Sequence, residues 1–209
     1  MKISANKGKQ NKIHISCDGE YMFTVDAEFW YSSPYYGKEI IDDEEELTAF
    51  YEAVGSRCAF LAGLRLLSYR DHSEKEMINK LVQKGHKHCY AVSATEKLKE
   101  YGYINDERYA QNYAESLLER KGMSINGIKS ELFRKGISRE IADNVAESLD
   151  IDPVLRIIDL LNTKYKRNLS DEKGVKKTIA ALQRLGYRWS DINSALRQTE
   201  VETEDFYDV

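Results

Sequence analysis

Proline is nearly absent from this 209-residue chain: only Pro34 and Pro153 occur. Because proline removes a donor from the helical hydrogen-bond ladder and clashes with the preceding turn, long stretches without it favour helices. Cysteine is also scarce, with Cys17, Cys58 and Cys89 widely spaced and no CxxC pair. An odd, scattered set of thiols argues against a disulfide framework or a zinc knuckle and points to a cytoplasmic protein. No apolar run approaches the ~18 residues of a membrane span. The N-terminal MKISANKGKQNK offers no apolar stretch for a signal peptide. Missing too are a G-x-x-x-x-G-K-[ST] phosphate loop, an H-E-x-x-H metal motif and a G-x-S-x-G elbow.

Hydrophobic residues make up 42% of the chain and charged ones 32%, enough apolar content for a core. The net charge of −4 conceals a polar distribution. Residues 1–50 carry five basic and ten acidic groups, residues 151–198 carry ten and five, and residues 199–209 carry five acids and no base. A basic C-terminal module thus lies between acidic ends, which the whole-chain charge hides.

The first clear element is a β-hairpin. Ile13, Ile15 and Cys17 alternate with polar residues, as do Tyr21, Phe23 and Val25, and Asp18-Gly19 between them suits a type I′ turn. Asp26 is placed to cap a short helix, AEFWYSS, and the acidic run Asp42 to Glu46 to open another. From about residue 57 the chain repeats itself. Leu81-Val-Gln-Lys-Gly85 matches Leu132-Phe-Arg-Lys-Gly136 and Leu182-Gln-Arg-Leu-Gly186, with glycines 51 and 50 residues apart. That period marks a tandem array. Each unit reads as three helices, with Ser73, Ser124, Ser138, Ser170 and Ser190 as expected caps and glycines as stops. The expected divisions are 1–56 (hairpin and helix segment), 57–104, 105–150 and 151–198 (three-helix repeats) and 199–209 (acidic tail, mobile over 200–209).

Candidate chemistry is thin. His86, His88 and Cys89 crowd one helix–helix turn without a further ligand nearby. Asp42 to Glu46 and Asp106-Glu107 each open a helix, where caps and dipole account for them. No catalytic residue, cofactor or metal is therefore expected. The basic residues say more: Lys164, Lys166 and Arg167 end one helix, and Lys173, Lys176, Lys177 and Arg184 line the next. Lys173, Lys177 and Arg184 share a face, and Arg188 and Arg197 follow. Tyr165, Tyr187 and Trp189 are expected to belong partly to the core. Such a face is either a solvated surface or the footprint of an anionic partner, protein or nucleic acid.

The runs Leu66-Leu-Ser-Tyr-Arg-Asp-His-Ser-Glu-Lys-Glu76, Leu81 to Gly85, Leu98-Lys-Glu-Tyr-Gly-Tyr-Ile-Asn-Asp-Glu-Arg-Tyr-Ala110 and Lys135-Gly-Ile-Ser-Arg-Glu-Ile141 resemble the RecX family of recombinase regulators. The resemblance covers residues 57–150 best, Gly102 to Ala110 being its most specific part, and extends to the hairpin at 12–26. It implies a mainly α fold: a tandem array of three three-helix repeats, elongated and curved, after a β-hairpin and short helices. It further implies a non-enzymatic protein that binds the RecA filament and inhibits its ATPase, strand exchange and coprotease action. DNA would be touched weakly or through the filament, no membrane would be involved, and a monomer is expected. The third repeat matches in architecture more than in residues, and the acidic tail departs from the pattern. Combined with the charge map, the resemblance makes Lys129, Arg134, Lys135, Lys173, Lys177, Arg184 and Arg188 the expected partner-binding residues. The rival is a nucleic-acid-binding helical-repeat protein acting without RecA.

Overall fold

A computed structural model describes residues 1–199; the tail expectation for 200–209 lies outside the described residues. The described residues divide into two compact units, the first ending at Asn105 and the second beginning at Asp106.

In the first unit, three antiparallel strands, β1 (Ile3–Lys7), β2 (Lys12–Cys17) and β3 (Glu20–Asp26), form a sheet in the order β1-β2-β3. Asp18 and Gly19 both take positive φ (48° and 88°), the type I′ geometry that their sequence suggests. Sequence reasoning stopped at a hairpin, and β1 adds a third strand. Its ISANK lacks alternation, and only Ile3 is buried. Pairing with β2 in the register Ile3↔Cys17 holds it. Ile13, Ile15, Cys17 and Val25 pack with Trp30, Phe50 and Val54 in one core. Trp30 comes from the short helix α1 (Ala27–Ser32), which Asp26 caps through the Phe29 amide at 2.9 Å.

Residues 44–67 form one continuous helix, α2 (Glu44–Leu67), where two helices were expected. The reason is division of labour along its length. Phe50 and Val54 face the sheet core, while Ala59 and Phe60 face the core of the first three-helix repeat. Apolar residues therefore appear on several sides, and the pattern reads as two short helices. Gly55 and Gly63 keep its far face smooth, since a Cβ at either would overlap Tyr90 or Leu98 of α4 (His88–Glu100). Helix α3 (Glu74–Gln83) completes this repeat, with the Glu76 amide donating to the Ser73 hydroxyl at 3.2 Å.

The second unit holds two repeats. Helices α5 (Asp106–Ser116), α6 (Ile125–Arg134) and α7 (Arg139–Ser148) surround Ala110, Ile128, Leu132 and Val145. Helices α8 (Pro153–Asn162), α9 (Glu172–Arg184) and α10 (Trp189–Gln198) surround Ile157, Leu161, Leu182 and Ile192. A single π turn (Leu117–Lys121) extends α5, and a 3₁₀ turn (Lys166–Ser170) precedes α9.

The 50-residue period is physical. Leu81, Leu132 and Leu182 are each fully buried. Gly85, Gly136 and Gly186 take φ of 92°, 86° and 90°. After each glycine the next amide returns to the leucine carbonyl: His86 to Leu81 at 3.2 Å, Ile137 to Leu132 at 3.1 Å, Tyr187 to Leu182 at 3.2 Å. This is the helix-ending motif that only a residue tolerant of the left-handed region permits cheaply.

Two expected caps fail in the third repeat. Asp171, not Ser170, caps α9, accepting from the Gly174 amide at 2.6 Å. By the repeat, Gly174 stands where Ser73 and Ser124 cap, so α9 begins a turn earlier than its counterparts. A Cβ on Gly174 would overlap the Asn168 carbonyl, which lets the 3₁₀ turn lie against the helix. Arg188, not Ser190, occupies the cap of α10, without a side-chain bond.

Candidate partner-binding face

The basic residues singled out by sequence all lie in the second unit, where repeats two and three join through their backbones. The Ser124 amide donates to the Leu185 carbonyl at 3.0 Å. A Cβ on Gly127 would overlap that same carbonyl, and one on Gly186 would meet the Gly127 backbone. Around this junction Tyr187 donates its hydroxyl to the Gly122 carbonyl at 3.1 Å, and Arg156 donates to the Leu118 carbonyl at 3.1 Å. Burial pushes the Tyr187 phenol up to about 12, so it remains a donor at any physiological pH.

On α9 the buried positions are Val175, Thr178 and Leu182, so the opposite side is solvent-facing. Lys173, Lys177 and Arg184 lie there within about 40° of one another on a helical wheel. All three are exposed, as is Arg188. Among the described residues none of the four makes an ion pair. Lys176, one step round the helix, pairs with Glu172 at 2.6 Å. This stripe is therefore positive charge with no ion-pair partner among the described residues, the kind of surface that attracts an external anion.

The remaining expected residues are placed differently. Lys129 donates to Asp143 at 2.8 Å, half-buried between α6 and α7. That hydrogen bond, foremost, lowers the Asp143 carboxyl; Arg139 at 3.6 Å adds to it. Arg134 pairs with Glu131 one turn back, and Lys135 lies over the Tyr113 ring, 5.6 Å from its centre. Arg184 and Arg188 flank Gly186 at the junction with the start of α6. Arg134 and Lys135 stand at the far end of that ten-residue helix, about 15 Å away along its axis. The seven residues thus form a stripe on α9 and the α9–α10 turn, plus a separate engaged group, Lys129 midway along α6 and Arg134 and Lys135 at its end.

Tyr187 is buried and Tyr165 and Trp189 are partly buried in the third core, as the sequence suggests. At the Gly85 turn, His86 is half-buried and burial lowers its pKa, with Lys84 adding to the effect; His88 and Cys89 are exposed. No grouping of three or more metal-ligating side chains occurs among the described residues. Asp43 caps α2 through the Glu46 amide at 2.8 Å, and Glu46 pairs with Lys38. No helix among the described residues is long and apolar enough to cross a membrane.

One feature escaped sequence reasoning: a cleft of about 890 Å³ in the first unit, between β3, α2 and the turn before α4. Its walls come from three distant segments, so no local pattern announces it.

Comparison with known proteins gives consistent findings. Residues 59–89 match the family model described as RecX, first three-helix domain, and residues 105–145 match RecX, second three-helix domain. The chain is 31% identical over 192 residues to the regulatory protein RecX of Caldanaerobacter subterraneus subsp. tengcongensis, covering 91% of this chain and 95% of that one. With the regulatory protein RecX of Clostridium perfringens (strain SM101) it shares 32% over 201 residues, covering 94% and 93%. Among solved structures, a crystal structure of regulatory protein RecX superposes with a TM-score of 0.66 at 21% identity, over 94% of this chain and 98% of that one. RecX from Lactobacillus salivarius superposes with a TM-score of 0.58 at 24% identity, over 71% and 98%. These two structural likenesses bear on the fold.

Proposed function

Because the chain belongs to the RecX family of regulatory proteins, we propose that it regulates the RecA recombinase by binding its filament, and that the outcome is inhibition of ATP hydrolysis, strand exchange and coprotease action. It acts by occupying a surface, without covalent chemistry. The observation that carries the reading to particular residues is the cationic stripe Lys173, Lys177 and Arg184, continued by Arg188, none of which makes an ion pair among the described residues. Lys129, Arg134 and Lys135 contribute a second, weaker region, because their charges are already engaged by Asp143, Glu131 and the Tyr113 ring.

Charge at a docking face mainly accelerates encounter and fixes orientation. Its reach at 0.1 M salt is about 10 Å. Reversing Lys173, Lys177 and Arg184 to Glu should therefore weaken inhibition of the RecA ATPase by at least about tenfold at low salt, mostly through the on-rate, and the deficit should shrink as salt rises. All three side chains are exposed, so helical content by circular dichroism should not change. Co-sedimentation with RecA filaments, beside naked single-stranded DNA, separates the rival. A protein acting on DNA alone would bind naked DNA with a steep log–log salt slope and would lose that binding in the triple variant. Normal inhibition by the triple variant at low salt would show that the face is wrong.

A further inference from the structure

We propose that the cleft of the first unit is a docking groove for an extended acidic peptide segment of a partner protein, seated against the open edge of β3. The strand order leaves β3 at the edge of the sheet. Successive side chains of a strand point to opposite faces, yet residues 21–26, all consecutive, line the cleft. What faces the cleft is thus the strand's backbone edge. The Cys58 thiol confirms the direction: from α2 it donates to the Thr24 carbonyl at 3.2 Å. The opposite wall is one face of α2, with Tyr51, Gly55, Cys58, Leu61 and Arg65 recurring every three or four residues.

Size and chemistry fit a peptide. About 890 Å³ lies within the ordinary range of ligand clefts. The floor is apolar, from Leu61, Ala62 and Tyr90. The rim carries Lys12, Arg65 and Lys87, none of which forms an ion pair among the described residues; Lys87 lies over the Tyr90 ring, 5.5 Å from its centre. The one carboxylate in the lining, Asp26, is neutralised by Arg57 at 2.7 Å. Apart from the Thr24 carbonyl, which accepts from Cys58, the edge of β3 supplies main-chain donors and acceptors, which an extended peptide matches and a nucleic acid does not. The aromatic rings argue the same way. Tyr90 is buried, and Phe23 and Tyr51 pack against each other at 6.1 Å, tilted by 59°. Of the lining tyrosines and phenylalanine only Tyr21 is exposed, at 63%, so bases would find one open ring rather than successive stacking platforms. The occupant is therefore an acidic strand with apolar residues on alternate positions: apolar side chains enter the floor, and carboxylates meet the rim.

The test is fluorescence anisotropy on the full chain with a labelled ten-residue peptide alternating glutamate and leucine. Saturable binding that weakens with salt is expected. Arg65→Glu with Lys87→Glu should lower affinity at least about tenfold at 0.1 M salt, with circular dichroism unchanged because both side chains are exposed. A peptide with serine for leucine should bind at least about tenfold more weakly, since the floor then has nothing to bury; this control leaves the protein untouched. The Lys173, Lys177 and Arg184 reversal, in the other unit, should leave peptide affinity unchanged. Absence of peptide binding, equal affinity in the Arg65/Lys87 variant, loss in the α9 variant, or tighter binding of a labelled ten-nucleotide oligothymidylate would each overturn the proposal.

Discussion

Thr178 offers a sharp test of the packing argument. By the repeat it stands where Met77 and Ile128 stand in the other two cores, and all three are buried. Its hydroxyl oxygen has no hydrogen-bond partner among the described residues. A buried, unsatisfied hydroxyl costs about 1–3 kcal/mol, and a methyl in its place adds roughly 0.8 kcal/mol of burial. Thr178→Val keeps the branched shape and similar helix propensity, so it should stabilise the second unit by at least about 2 kcal/mol. With an m-value of roughly 2 kcal/mol/M, the urea midpoint should rise by at least about 1 M. Trp189 is partly buried in the third core and Trp30 belongs to the first unit. Trp30→Phe therefore leaves a fluorescence signal from the second unit alone. Thr178→Ser provides the opposite sign, retaining the hydroxyl and losing the methyl, and should lower the midpoint. A valine variant no more stable than the wild type would refute the claim that the hydroxyl is unsatisfied.

Gly127→Ala should destabilise the second unit by about 1–3 kcal/mol although alanine favours helices, because the new Cβ meets the rigid Leu185 carbonyl; the Trp189 signal measures it. Asp26 both caps α1 and pairs with Arg57. Burial opposes its ionisation, but the hydrogen bonds from Arg57 and the Phe29 amide outweigh that and hold the carboxyl below its ordinary 3.8. Its stabilising contribution is then present above the unfolded value and lost as pH falls through the folded one. Asp26→Asn, which can still cap, should cost the first unit about 1 kcal/mol at pH 7 and flatten its stability loss below pH 4, followed by Trp30 fluorescence.

What could be read in the chain was whatever depends on neighbours in sequence. Asp18-Gly19, the serine caps at 73, 124 and 138, the glycine stops and the leucine frame all belong to local rules of backbone geometry. The failures share a cause in tertiary context. Strand β1 has no pattern because only Ile3 needs burial. Helix α2 reads as two because two cores share it. Ser170 yields to Asp171 because Gly174 brings the 3₁₀ turn against α9. At the candidate face, the common side of Lys173, Lys177 and Arg184 follows from helical spacing. That Lys129 is engaged by Asp143, 14 residues away on the next helix, does not.

Comparing the repeats position by position shows where recognition can reside. The inward frame barely changes: Leu81, Leu132 and Leu182, each followed by the same glycine-ended turn. The outward positions vary more. Glu76, Gly127 and Lys177 are equivalent, as are Gln83, Arg134 and Arg184, and Lys87, Ser138 and Arg188. In the second repeat the first of these positions must be glycine, because the third repeat's Leu185 carbonyl lies against it. In the third it is a lysine exposed to solvent on a helix lengthened by a turn. One scaffold thus serves as a junction in one copy and as a charged face in the next. Burial fixes the fold and leaves the outward residues free to differ, so the proposed cationic face draws on the outward set of the third repeat rather than on any motif that the three repeats share.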